Sequence, residues 1–200
     1  MTNSTDTETT TAAIREIFSN QRTANSFTSE PVPAETLREI YEVVKFGPTA
    51  ANSQPMRIVF LTNDDAKARL LPHMSDNNRA KTSQAPVVAI VAADADFNEH
   101  QPEVFPHAPE SKNWFGDVTA RRDMSRFNTG IQLGYFISTI RAFGLAAGPQ
   151  TGFNAAAIDA EFFAGTNTHV QAVVNIGHPG ENAWFDRLPR RRFEDVVTVL

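Results

Sequence analysis

The chain reads as a single compact domain of helices and buried strands, an α/β domain in the broad sense. Three observations point there. Helical periodicity recurs at Ala12–Gln21, Ala34–Lys45 and Val118–Phe143. Pro86–Ala93 and Val170–Ile176 are almost wholly apolar and rich in β-branched residues, the composition of strands buried on both faces. At 200 residues the chain also suits one domain with a substantial core, since a chain of this size buries roughly 70% of its unfolded surface.

Composition excludes several roles. A net charge of -5 disfavours nonspecific binding to nucleic acid or to an acidic membrane. With no cysteine there is no disulfide, thiol nucleophile or thiolate metal site. The apolar runs near Val87–Ala93 are far shorter than the ~20 residues that span a bilayer. Met1–Thr11 is polar, lacks the apolar stretch of a signal peptide, and is expected to be a frayed tail before a domain at 12–200. A soluble, cytoplasmic protein is the expectation.

Taken in order, the first helix sets Ile14, Ile17 and Phe18 on one face and runs into Arg22-Thr23-Ala24-Asn25-Ser26-Phe27. An arginine beside hydroxyl and amide side chains can grip a phosphate; a solvated polar loop is the other reading. Pro31-Val32-Pro33 introduces the second helix, whose Leu37, Ile40, Tyr41 and Val44 form one apolar stripe. Gly47-Pro48 stops it, and two prolines then bracket the small polar run Thr49-Ala50-Ala51-Asn52-Ser53-Gln54. Such a turn holds donors and acceptors out for a planar, polar-edged ligand, or serves only as a connection.

A strand follows at Arg57–Leu61, then a short helix capped by Asn63 or Asp64 and broken by Pro72. In the polar stretch His73–Lys81, Asn78 and Lys81 share a face if the segment is helical. Asp94–Asp117 has little periodicity; its Phe105, Trp114 and Phe115 suggest a lid over a site. His100 and His107 there lack partners at metal-ligand spacing. The long helix is apolar nearly all round over Ile131–Phe143, so burial is expected, and Gly130 and Gly134 leave room for another helix. Gly144–Asn154 is a glycine-punctuated turn with approachable backbone at Gly148 and Gly152, and Asn154 caps the helix from Ala155 to Phe163. Arg187-Leu188-Pro189-Arg190-Arg191-Arg192 is either a solvated basic patch or a phosphate clamp, with Arg187 and Arg190 favoured as its members.

Together these pieces resemble the FMN-dependent nitroreductase family. The resemblance rests on the order and spacing of Pro48-Thr49-x-x-Asn52-Ser53-Gln54-Pro55, Asn78-x-x-Lys81, Gly148-Pro149-x-x-Gly152-Phe153 and the terminal arginines, and it extends from about Gln21 to the C-terminus. It implies an α+β fold, with a mixed central sheet flanked by helices, and a homodimer built on the long helix with FMN at the subunit interface. NADPH or NADH would be the electron donor. Within it, Arg22, Thr23 and Asn25 would hold the FMN phosphate with Arg187 and Arg190. Pro48, Thr49, Ala50, Asn52 and Gln54 would form the flavin-contacting turn. Asn78 and Lys81 would meet the ring, and Lys81 would stabilise the charge that reduction leaves there. Gly148 and Pro149 would lead into a loop whose Thr151 and Gly152 amides reach N5 and O4. No side chain is assigned as acid or base.

The chain resembles most the malonic semialdehyde reductase subgroup, through Arg22-Thr23-x-Asn25, Val104–Pro109, Trp114-Phe115 and Asp159–Asn167. Gln150 departs from that pattern beside the ring-contacting loop, where it would bear on substrate preference, and the run of three arginines departs from it too. The implied activity is reduction of malonic semialdehyde or a similar aldehyde acid. A broad nitroaromatic or quinone reductase, another flavin reaction such as dehalogenation or flavin breakdown, and a noncatalytic flavin-binding dimer are the alternatives.

Overall fold

The computed structural model describes residues 4–20 and 22–200, and for 4–6 the backbone alone. Seven α-helices among them are α1 (Ser4–Ser19), α2 (Ala34–Val44), α3 (Asp64–Leu70), α4 (Asp76–Gln84), α5 (Gln101–Val104), α6 (Val118–Ala142) and α7 (Ala155–Phe162). Four strands, β1 (Met56–Leu61), β2 (Val87–Asp94), β3 (Ala146–Gln150) and β4 (Thr168–Gly177), form one sheet in the order β1-β2-β4-β3.

The α+β class and the helix-flanked sheet are as expected, but the sheet is not mixed: all three pairings are antiparallel. The connections explain this. Leu61 at the end of β1 pairs with Val88 at the start of β2, so the chain leaves and re-enters the sheet at one end. The β3–β4 connection also returns at one end, with Gln150 opposite Val173. Same-end returns give antiparallel neighbours.

β2 is buried along its whole length because the sheet is packed on both faces. Val87, Ala89 and Val91 join Ile40, Val44, Phe136 and Ile140 of α2 and α6 on one side. Val88 and Ile90 join Leu70, Ile158 and Val173 on the other. The alternation is the two-residue period of a strand. Pro149 is tolerated in a strand because β3 is an edge.

Caps fix the helix starts. Asn63 accepts from the Ala66 N–H at 2.9 Å, Asn154 from Ala157 at 3.1 Å, and Asp117 from Thr119 and Ala120 at 2.9 and 3.0 Å. The Asp117 cap was not anticipated. In α2, Leu37, Ile40 and Val44 are buried, while Tyr41 lies at the edge of the stripe and is exposed.

α1 spans Ser4–Ser19, with no Gly or Pro to interrupt it, and takes in most of the segment expected as a tail; Met1–Asn3 and Gln21 fall outside the described residues. The second half of α6 is only partly covered, with Gln132, Phe136 and Ile140 buried. A Cβ built on Gly130 or Gly134 would meet nothing within 4 Å. Among the described residues no helix is long and apolar enough to cross a membrane.

Phe136 is fully buried at the centre of the α6 contact with the sheet. Phe136→Ala is expected to cost about 3–5 kcal/mol, read as a lower urea midpoint with an unchanged slope.

Candidate functional site

The site is assembled by a seam of backbone hydrogen bonds beyond the edge of the sheet. Ala24 N–H donates to Ala147 O at 3.1 Å, tying the segment after α1 to β3. Asn25 N–H donates to Ala183 O and Thr28 N–H to His178 O, both at 3.0 Å, and Gly180 N–H donates back to Ser26 O at 3.1 Å. The segment 24–28 therefore lies between β3 and the chain leaving β4, and Phe27 is buried beneath it. Gly148 is needed here for a different reason from the one its sequence suggested. It sits in β3 opposite Asn175, and a Cβ on it would lie 2.8 Å from Ala24 O. Its missing side chain admits the segment rather than a ligand.

That seam puts Arg22 beside the C-terminal arginines. Arg22, Thr23, Asn25, Arg141, Arg187 and Arg190 line one cleft of about 520 Å³, closed by Phe18, Phe185 and Leu188. The Arg22 guanidinium donates to Phe185 O at 2.5 Å and Arg187 donates to Ser19 O, so both arginines are braced by backbone. Arg190 donates to Leu188 O at 2.8 Å. Arg141 was missed: it comes from the last turn of α6, and the available signal was a lone cation in an otherwise apolar run. Its pKa is lowered from the ordinary value, first by burial and second by the positive charge of Arg187. Four guanidiniums held this close, with Asp186 alone opposing them on the cleft wall, favour a bound anion.

A second cleft of about 410 Å³ shares Asn25 and Phe185 with the first and adds Asn77, Asn78, Lys81 and Gln84. α4 carries Asn78 and Lys81 on one face, as the spacing required. Lys81 is half-buried and makes no hydrogen bond or ion pair with the other described residues. Asn78 donates to Gly152 O at 3.1 Å, and Ser75 N–H donates to the same oxygen at 3.0 Å. A Cβ on Gly152 would lie 2.5 Å from Asn78 Nδ2 and 2.7 Å from Ser75 Oγ, so a side chain there would push both aside. The N–H groups of Thr151 and Gly152 have no acceptor among the described residues. Pro149, half-buried in β3, leads the chain into this turn.

Gln150 does not face the cleft. It is buried and donates to Thr82 Oγ1 at 2.6 Å and to Asn175 Oδ1 at 3.3 Å. Thr82 follows Lys81 on α4, so this network fixes the helix against the sheet; the expected bearing on substrate choice becomes a positioning role.

The turn Gly47–Pro55 lies elsewhere. Ala50 N–H donates to Asn128 Oδ1 at 2.9 Å, the Tyr135 hydroxyl donates to Pro48 O at 3.2 Å, and Met56 N–H donates to Gln132 Oε1 at 3.0 Å. These bonds pin it to α6, and a Cβ on Gly47 would collide with the Tyr135 ring at 2.2 Å. Thr49 Oγ1 accepts from Gln54 N–H at 3.2 Å. Ala51, Asn52 and Gln54 hold φ of 50°, 51° and 43°, a conformation that costs roughly 1–2 kcal/mol per non-glycine residue. Within one chain, Pro48, Thr49, Ala50, Asn52 and Gln54 do not line the basic cleft; Gln54 lines a separate one of about 540 Å³. The lid expectation also shifts. Phe105 packs on His107 and Trp114, Phe97 on Phe115, and the excursion meets the turn through Asn52 Nδ2 and Val104 O at 2.7 Å.

The donor set fits FMN. Guanidiniums, a hydroxyl and an amide suit a phosphate dianion, and the adjoining cleft offers free amides, an amide side chain and an unpaired ammonium to a polar ring edge.

The family model described as the Nitroreductase family matches residues 19–178. A protein of Streptomyces griseus named as an NADH dehydrogenase/NAD(P)H nitroreductase is 46% identical over 185 residues, covering 92% of this chain and 94% of its own length. One of the same name from Streptomyces coelicolor is 49% identical over 182 residues, covering 90% of each. Among solved structures, a Bacillus subtilis nitroreductase superposes with a TM-score of 0.85 at 20% identity, over 95% of this chain and all of that one. A nitroreductase of Exiguobacterium sibiricum, solved in complex with FMN, gives 0.83 at 18% identity over 92% and 96%.

Protein freed of small molecules is expected to melt at a higher temperature in inorganic phosphate than in sodium chloride of equal ionic strength. In an Arg22→Gln/Arg187→Gln variant that difference is expected to shrink.

Proposed function

The chain belongs to the nitroreductase family, whose members are FMN-dependent NAD(P)H oxidoreductases, and we propose that it reduces a small aldehyde acid such as malonic semialdehyde to the hydroxy acid. The observation that carries a flavin site is the continuity of the basic cleft with the Asn78, Lys81 and Gly152 cluster through shared Asn25 and Phe185. The aldehyde-acid substrate is supported by the sequence resemblance at Val104–Pro109 and Asp159–Asn167.

When bound, FMN supplies a two-electron relay through N5 between NAD(P)H and the acceptor. The rest is the work of the polypeptide. Arg22, Arg141, Arg187 and Arg190 would neutralise the phosphate, with Thr23 and Asn25 as uncharged donors, each charge-assisted hydrogen bond contributing about 1.5–3 kcal/mol. The Thr151 and Gly152 N–H groups would donate to the ring edge. Lys81 would lower the cost of placing negative charge on the ring, and Asn78, already bonded to the loop, would hold it against the ring. An aldehyde would take at its carbonyl carbon the hydride that NAD(P)H supplies through the flavin, and its oxygen would take a proton from solvent.

The turn at Gly47–Pro55 finds its place in a homodimer, where it serves the partner's flavin. Several surfaces support that assembly. Gly130 and Gly134 open a flat strip on α6, Phe127 on the same helix is 69% exposed, and Ile14 and Phe18 of α1 are uncovered. A cytoplasmic location accords with dependence on NAD(P)H. A broader nitroaromatic or quinone reductase is the second reading, favoured by the names of the relatives.

The purified protein is expected to be yellow, to bleach with NADH or NADPH under argon, and to recolour on adding 3-oxopropanoate. Recolouring with nitrofurazone but not with 3-oxopropanoate would select the second reading, and binding without bleaching would leave a noncatalytic flavoprotein. Gly130→Leu/Gly134→Leu is expected to sediment as a monomer. Each substitution favours the isolated helix by about 1 kcal/mol, so dissociation there would not reflect unfolding.

A further inference from the structure

A third cleft, of about 390 Å³, opens beside the ring-contacting loop and is lined by Arg122, Arg126, Thr151, Phe153, Asp159 and His169, among others. Arg122 and Arg126 are four apart on α6, so their side chains leave the same face. Neither guanidinium makes a hydrogen bond or ion pair with the other described residues. Their neighbour Arg121 is different: it donates to Ala95 O at 3.0 Å and Gly116 O at 3.1 Å and pairs with Asp96 at 3.5 Å.

The one carboxylate on the cleft wall does not neutralise the pair. Asp159 Oδ2 lies 2.9 Å from His169 Nδ1, and its Oδ1 accepts the Val170 N–H at 2.8 Å. Both oxygens are thus turned to β4 rather than to α6. The register of β4 reinforces this wall. Val91 faces Ala172 and Ala92 faces Val170, so Gln171 is the extra residue of a bulge and is carried to the cleft. Two like charges at this spacing repel on a helix, and an anion between them turns that repulsion into two charge-assisted contacts.

We propose that Arg122 and Arg126 form a second anion-binding subsite that takes the carboxylate or phosphate of the small molecule reacting beside Thr151. Thr151 belongs both to this cleft and to the loop assigned to the ring edge, so an acceptor seated in the cleft lies against that loop. The subsite thereby selects acids over neutral aldehydes, and in that respect it rests on the functional reading above. A phosphate of the pyridine nucleotide would use the same chemistry, and the test separates the two sources.

Malonate, which cannot be reduced, serves as the probe in calorimetric titrations of the FMN-loaded protein and of its Arg122→Gln/Arg126→Gln variant. The variant is expected to bind malonate at least about tenfold more weakly, the loss of one charge-assisted hydrogen bond or more. In turnover assays its KM for 3-oxopropanoate is expected to rise similarly, with KM for propanal unchanged. A rise in KM for NADPH but not for NADH would assign the anion to the nucleotide phosphate and still uphold the subsite. Equal malonate binding by both proteins, with unchanged KM values throughout, would overturn it. So would loss of a wild-type dimer in the variant with malonate affinity retained, which would make the arginines interface residues. Malonate binding that depends on the pair, in a protein that does not reduce 3-oxopropanoate, would uphold the subsite and sink the aldehyde-acid reading alone.

Discussion

The candidate site depends on the backbone seam that holds residues 24–28 between β3 and the chain beyond β4. Four hydrogen bonds, at Ala24, Asn25, Thr28 and Gly180, set its register. They bring Arg22 and the arginines at 187 and 190, from distant segments, to one cleft, where Arg22 and Arg187 each bond across to the other segment. The seam in turn needs a strand without a side chain at Gly148, because Ala24 O occupies that volume. A pattern that looks like a ligand-facing glycine is thus a packing requirement one step removed from the ligand.

A second constraint acts on α4. The helix is polar along its length and buries only Thr82, so hydrophobic burial contributes little to its placement. The hydrogen bonds of Thr82 with Gln150 and Asn175 do that instead, together with the bond from Asn78 to Gly152. Buried polar networks are costly when incomplete and specifying when satisfied. Here the network specifies where a lysine points. The strained turn at Ala51–Gln54 follows the same logic: side chains of α6 hold the backbone on either side of it, at Ala50 and Met56, while Thr49 accepts from the Asn52 and Gln54 N–H groups.

Much of this was legible in the sequence, for identifiable reasons. The β2 strand announced itself by an unbroken apolar run and the α7 cap by Asn154 next to its helix, while the Asn78–Lys81 spacing said only that the two would share a face once a helix formed there. These are local signals. What escaped was set by contacts distant in the chain. Arg141 joins the basic cleft only because α6 ends there, and Gln150 turns inward only because Thr82 and Asn175 await it. The antiparallel sheet follows from the ends at which connections return, which residue patterns do not record. The turn at Gly47–Pro55 was found by its residues, yet its separation from the basic cleft within one chain depends on which face of α6 it grips.

The cleft that gathers Arg22, Arg187 and Arg190 draws on nearly the full span of the polypeptide. Arg22 precedes every strand of the sheet and the other two follow the last of them. A fragment that keeps all four strands but loses either flank therefore keeps the sheet without its grip on an anion.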